Sequence, residues 1–99
     1  MSKSNAVKIH IRDNVVTLLQ DVKEGEKILY NDGSTIKSKM DIEAGFKAAV
    51  KKIKKGDNII KYGEIIGRAV QNIELGEEVH LNNVEGLRGR GDKRESDIN

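Results

Sequence analysis

The chain has 99 residues, 36% of them apolar and 34% charged, which allows one small domain with a modest core. Eighteen Lys and Arg against sixteen Asp and Glu give a formal charge of +2, and the only aromatic side chains are Tyr30, Phe46 and Tyr62. This is neither the basic footprint nor the stacked-ring platform of a nucleic-acid binder, and with no cysteine the chain offers no disulfide, thiolate metal site or cysteine nucleophile.

Residues 1–6 have no apolar run of the signal-peptide kind and are expected to form a flexible N-terminus. No stretch approaches a membrane span, so the expected location is cytoplasmic. From Val7 the pattern alternates: Val7, Ile9 and Ile11 against Lys8, His10 and Arg12. It predicts a first strand with one buried face and His10 on the other. Asp13-Asn14 turns the chain into Val15–Leu19, an apolar run expected as a central strand. Asn31-Asp32-Gly33 predicts a hairpin turn. Later strands are expected at Asn58–Lys61 and Val79–Leu81.

Proline is absent, so turns must come from Gly, Asn and Asp. One unit recurs: a polar residue, an apolar anchor, two residues, a glycine, two residues, and an apolar position. It is found at 21–28, 41–48, 52–59 and 72–79, centred on Gly25, Gly45, Gly56 and Gly76. Glycine reaches positive φ at little cost, so each copy predicts a tight polar turn between short strands. Residues 41–55 also carry Ile42, Phe46, Ala49, Val50 and Ile53 at helical spacing. Gly45 inside that span and the two turn units it overlaps favour strand and turn over helix. The fold class expected is all-β, a compact domain over 7–84, followed by a Gly/Arg-rich tail at 85–99 that orders only against a partner.

Taken in order, Gly45-Phe46-Lys47, Asp57-Asn58-Ile59-Ile60-Lys61-Tyr62-Gly63, Ile66-Gly67-Arg68-Ala69 and Gly76-Glu77-Glu78-Val79-His80 with Asn83 resemble the SAF domain of the altronate/galactarate dehydratase family. Ile9-His10 with Asp13-Asn14-Val15 resembles that family's first hairpin. The resemblance implies a β-clip-like fold and a role as the small subunit of a sugar-acid dehydratase, a hydro-lyase. A large catalytic subunit would carry the chemistry and a divalent metal, expected to be iron. It is also similar to the small subunit of a sulfolactate sulfo-lyase. Phe46 stands where the family often has His, and of the family's second His-rich motif only His80 remains, so no role is carried over for the missing imidazoles.

For an anionic hydroxy-acid substrate, the candidate binding residues are Lys61, Tyr62, Arg68, His10 and His80. Arg grips a carboxylate bidentately, Lys and the Tyr hydroxyl add donors, and His titrates near neutral pH. His80 is the best candidate for a catalytic proton relay. Each has a structural alternative: solvent-facing histidines, a Tyr62 that merely caps a hairpin, a solvated basic face across 47–61. No metal site is expected in this chain, since two histidines without cysteine are a poor ligand set. In the tail, Arg88, Arg90 and Asp92 are expected to dock on the large subunit. The competing reading is a free-standing SAF-type module that binds a carbohydrate or sugar acid, or serves as a periplasmic assembly chaperone.

Overall fold

The computed structural model describes residues 4–86. Every regular element in that span is a strand: β1 (Ala6–Val7), β2 (Val15–Leu18), β3 (Lys27–Leu29), β4 (Thr35–Lys37), β5 (Lys47–Ala49), β6 (Asn58–Lys61), β7 (Glu64–Ala69), β8 (Glu78–Val79) and β9 (Val84–Gly86). They pair antiparallel into three small sheets, ordered β1-β2-β5-β8, β3-β4 and β6-β7-β9. The all-β expectation holds. Residues 41–55 are turn, strand and turn, because Gly45 sits at φ +90, outside the right-handed helical region.

The repeated unit is the organising device. In each copy the residue after the glycine donates its N–H to the carbonyl three residues back, as Glu26 does to Lys23 at 2.9 Å and Asp57 to Lys54 at 2.8 Å. The four glycines lie at φ between +85 and +94. The units then associate in pairs. Val22 and Ile42 exchange both backbone hydrogen bonds at 2.9 Å, and Ile53 and Ile73 do the same at 2.9 and 2.7 Å.

In three of the four units the polar residue that opens the unit serves its partner's turn. Asp41 Oδ1 accepts from Glu24 N–H, Asp21 Oδ1 from Ala44 N–H and Asn72 Oδ1 from Lys55 N–H, each at 2.9 Å. These are side-chain caps on otherwise unpaired amides. The acid after the glycine closes its own turn in three copies, through Glu26, Asp57 and Glu77. Phe46 occupies that position in the remaining copy and is free to do something else.

The core follows from strand alternation. On β2, Val16 and Leu18 point into one apolar cluster with Ile28, Ile42 and Ala48, while Val15 points into a second with Ala49, Ile59 and Ile73. The β2–β5 pair is thus buried on both faces, which is why residues 15–18 read as a nearly continuous apolar run.

Three local expectations need correction. The first strand ends at Val7, and Ile9 and Ile11 are 50% and 82% exposed. Asp13 ends the alternation by closing a turn on His10, so the apolar residues between have no sheet to face. Leu81 lies in a turn, 80% exposed, since β8 stops at Val79. Glu85 and Gly86 are not part of a free tail but complete β9 against β7. Residues 87–99 lie outside the described span.

Candidate functional site

The two histidines start two copies of one turn. Asp13 N–H donates to His10 C=O at 3.0 Å, and Asp13 Oδ2 accepts from His10 N–H at 3.0 Å. Asn83 N–H donates to His80 C=O at 3.0 Å, and Asn83 Oδ1 accepts from His80 N–H at 2.9 Å. Asp13 and Asn83 are both buried, so each imidazole is exposed on a backbone pinned from beneath. Asp13 does more. Its Oδ1 accepts from Gly63 N–H at 2.8 Å, tying the His10 turn to the β6–β7 hairpin. Burial pushes its carboxyl up, but the amides of Gly63, Tyr62, His10 and Ile9 pull harder and hold it below its ordinary 3.8.

The tip of that hairpin, Lys61-Tyr62-Gly63-Glu64, turns with φ +59 at Tyr62 and +73 at Gly63. Two positive φ values are the pattern of a two-residue type I′ hairpin turn, where Asn-Gly is the favoured pair and an aromatic is strained. Gly63 is also required sterically, since a Cβ there would lie 2.9 Å from the His10 ring. Lys61 Nζ lies 4.8 Å from the centroid of the Tyr62 ring. His10 Nδ1 accepts from Arg12 N–H at 3.1 Å, which assigns the proton of the neutral ring to Nε2.

The other histidine borders a groove of about 210 Å3 lined by Lys47, Ile59, Ile66, Val79, His80, Leu81, Val84 and Gly86. Phe46 uses its freedom here: its ring stacks on His80 with centroids 4.9 Å apart and planes at 15°. Lys47, next to it on β5 and opposite Val79 on β8, is half-buried. Burial pushes its ammonium below the usual lysine value, the charge of Lys61 adds to that, and Glu78 opposes it. The floor of the groove is apolar, and its two polar side chains are Lys47 and His80.

Of the residues singled out in the sequence, His80 shares the groove with Lys47, Lys61 acts on Lys47 through its charge, and Tyr62 and His10 adjoin Lys61 at the hairpin. Arg68 does not join them. It is ion-paired to Glu85 across β7 and β9 at 3.6 Å and is absent from the groove lining. Arg88, Arg90 and Asp92 lie outside the described residues. Lys47, Asp13 and Asn83 were not among the site candidates. The signal for the latter two was present as His-x-x-Asp and His-x-x-Asn at the two histidines. A larger concavity of about 690 Å3 on the β3–β4 hairpin shares no residue with this cluster and has Lys27 as its one charged lining residue. Among the described residues, no group of three or more His, Cys, Asp or Glu could hold a metal ion, and no helix is long and apolar enough to cross a membrane.

The geometry defines a small all-β domain, built of paired glycine turns, that carries a groove bearing Lys47 and His80, with His10 on a second pinned turn beside a separate concavity. The chain belongs to the altronate/galactarate dehydratase SAF domain family, whose pattern it matches over residues 4–87. It is 46% identical over 77 residues to an altronate dehydratase of Bacillus subtilis and 42% identical over 77 residues to one of Escherichia coli. Each match covers 78% of this chain and 15% of the relative, so the chain spans only a small part of those enzymes. It is also 43% identical over 53 residues to the (2R)-sulfolactate sulfo-lyase subunit alpha of Paracoccus pantotrophus, covering 54% of this chain and 79% of that subunit.

Proposed function

We propose that this chain is the small SAF subunit of an altronate/galactarate-type sugar-acid dehydratase. In this reading it docks on a large catalytic subunit and helps to position an anionic hydroxy acid. The observation that carries it is the pairing of family membership with the groove that bears Lys47 and His80, under the added charge of Lys61, a surface suited to a carboxylate flanked by hydroxyls. The matched stretch is 15% of the altronate dehydratases, so the elimination machinery is assigned to the rest of such an enzyme.

The reaction is loss of water from the hydroxy acid. A base removes the proton on the carbon next to the carboxylate, and the hydroxyl on the neighbouring carbon leaves. Base and leaving-group activation belong to the large subunit, where a divalent metal, iron by family resemblance, would act as Lewis acid. The described residues of this chain provide no ligand set for that ion. Their work is to hold the carboxylate, present the imidazole of His80 and cover the site from one side.

A second reading has its own support. The match covers 79% of a sulfo-lyase subunit alpha, which makes a sulfolactate sulfo-lyase subunit the alternative; there a carbon–sulfur bond breaks and sulfite leaves. Recovery of tagged chain from lysate of its source, with the co-purifying protein identified and the complex assayed, separates the readings. A complex that dehydrates altronate or galactarate supports the first, and sulfite release from sulfolactate supports the second. Absence of a partner, with saturable sugar-acid binding by the chain alone, leaves a free-standing binding module.

A further inference from the structure

Lys47 is placed at a cost. A half-buried ammonium on an apolar floor loses hydration, and a second lysine that repels it adds to the penalty. Glu78, its partial counter-charge, lies on the adjacent β8. Titratable groups perturbed in this way cluster at functional sites. The surroundings are rigid. His80 is pinned by buried Asn83, whose Nδ2 also donates to Glu78 C=O at 2.8 Å, and its ring is stacked on Phe46. Lys61, whose charge acts on Lys47, sits on a hairpin whose tip is held in a strained conformation by buried Asp13.

We propose that Lys47 is the anchor of an anion site: its ammonium takes the carboxylate of a small hydroxy acid, His80 donates alongside, and the charge of Lys61 adds to the attraction. The size of the groove supports this class of ligand. At about 30 Å3 for a water-sized group, 210 Å3 admits roughly seven such groups. That seats the carboxylate end of a small acid. Ile59, Ile66 and Val84 would pack the carbon chain, leaving hydroxyls to face outward. The choice of a hydroxy acid rests on the proposed function; the capture of a carboxylate by Lys47 does not.

The test uses the full chain, isotopically labelled, with the side-chain signals of Lys47 and His80 followed by NMR. Galactarate is titrated in, with acetate as a bare carboxylate, glycerol as a neutral polyol and chloride at matched ionic strength. The expected result is saturable movement of both residues with galactarate, a weaker response to acetate, none to glycerol, and a rise in the Lys47 pKa on binding. Lys47→Met should weaken galactarate binding at least tenfold, and Lys47→Arg should retain most of it. Movement that chloride reproduces at equal ionic strength, or binding unchanged in Lys47→Met, overturns the site. Should Lys47→Met fail to fold, the wild-type titration against chloride decides alone. A response to acetate equal to that to galactarate overturns the hydroxy-acid assignment and keeps the carboxylate site. Failure to recover any large partner from lysate would sink the subunit reading alone, and an active complex with silent Lys47 signals would sink this one alone.

Discussion

Asp13 and Asn83 close the same turn in distant parts of the chain, but they are not interchangeable. Asp13 uses both oxygens as acceptors, for His10 N–H and Gly63 N–H. Asn83 uses one acceptor for His80 N–H and one donor toward Glu78 C=O. The charge difference follows from what lies beneath each turn: two amides in one case, an amide and a carbonyl in the other.

Swapping them should therefore fail in both directions. Asp13→Asn turns an NH2 group toward the Gly63 or His10 amide, and Asn83→Asp turns an oxygen toward the Glu78 carbonyl. Each leaves a buried polar group without its partner, at about 1–3 kcal/mol. For a domain this size each kcal/mol is about 4–8 °C in Tm. Thermal melts of the two variants, followed by circular dichroism, check this; unchanged Tm in either would show that the contact contributes nothing.

The same carboxylate predicts an acid limb in stability. Asp13 is held below 3.8 in the fold, so as pH falls the unfolded chain takes up the proton first. The stabilisation is complete above the ordinary value of 3.8, erodes below it, and is gone once pH drops through the depressed folded value. Asp32, lowered chiefly by its side-chain and amide hydrogen bonds to Ser34, titrates in the same direction. Urea unfolding at a series of pH values between 6 and 2 should show stability falling below pH 4, with a smaller fall in Asp13→Asn. Equal slopes in the two proteins would remove Asp13 as the cause.

How much of this was readable beforehand depends on whether the determining contact is local. The glycine turns were legible because a turn of that kind needs a positive φ at one position and polar residues beside it, all within eight residues. What the units do in space, Val22 on Ile42 and Ile53 on Ile73, was not, since nothing local states which copies pair. The alternation through Ile9 and Ile11 misled for the opposite reason: a period of two says how a strand would face, but not whether a neighbour covers it. Lys47 sat in a basic run that looks like a solvated face, and its half-burial depends on β8 and on the groove beside Ile59, both distant in sequence. Arg68 had the right chemistry, and its pairing with Glu85 came from the β7–β9 register.

Gly76 differs from the other turn glycines in what surrounds it. A Cβ there would lie 2.0 Å from the Lys37 carbonyl oxygen, whereas at Gly25 nothing lies within 4 Å. Gly25→Ala should therefore cost only the left-handed strain, about 1–2 kcal/mol. Gly76→Ala should add an overpacking penalty of about 1–3 kcal/mol by pushing on backbone that cannot rotate away. Denaturant midpoints for the two variants test the order, and equal losses would show that the β4 segment yields freely.

Lys47 gives a prediction of opposite sign. Its pKa is lowered in the fold, so the buried charge costs stability at pH 7, fully below the depressed value, and the cost vanishes as pH rises past the ordinary 10.5. Lys47→Met should raise Tm at pH 7 and lose that advantage near pH 11. A variant less stable than wild type at pH 7 would mean that the ammonium is compensated in the free chain, and that the groove needs no anion to balance it.

Tyr62 carries the last of these tests. An aromatic at φ +59 costs on the order of 1 kcal/mol or more, and its side chain is 57% exposed, so packing does not explain its presence. Tyr62→Asn would create the Asn-Gly pair that this turn prefers. It should raise Tm by several degrees while removing the ring that lies against Lys61. If the strain is retained for function and the proposed subunit complex forms, the stabilised variant should assemble normally in it and show reduced turnover, with KM for the acid raised as Lys61 loses its support. A variant that is more stable and fully active would mean that the ring at the hairpin tip has no part in positioning substrate.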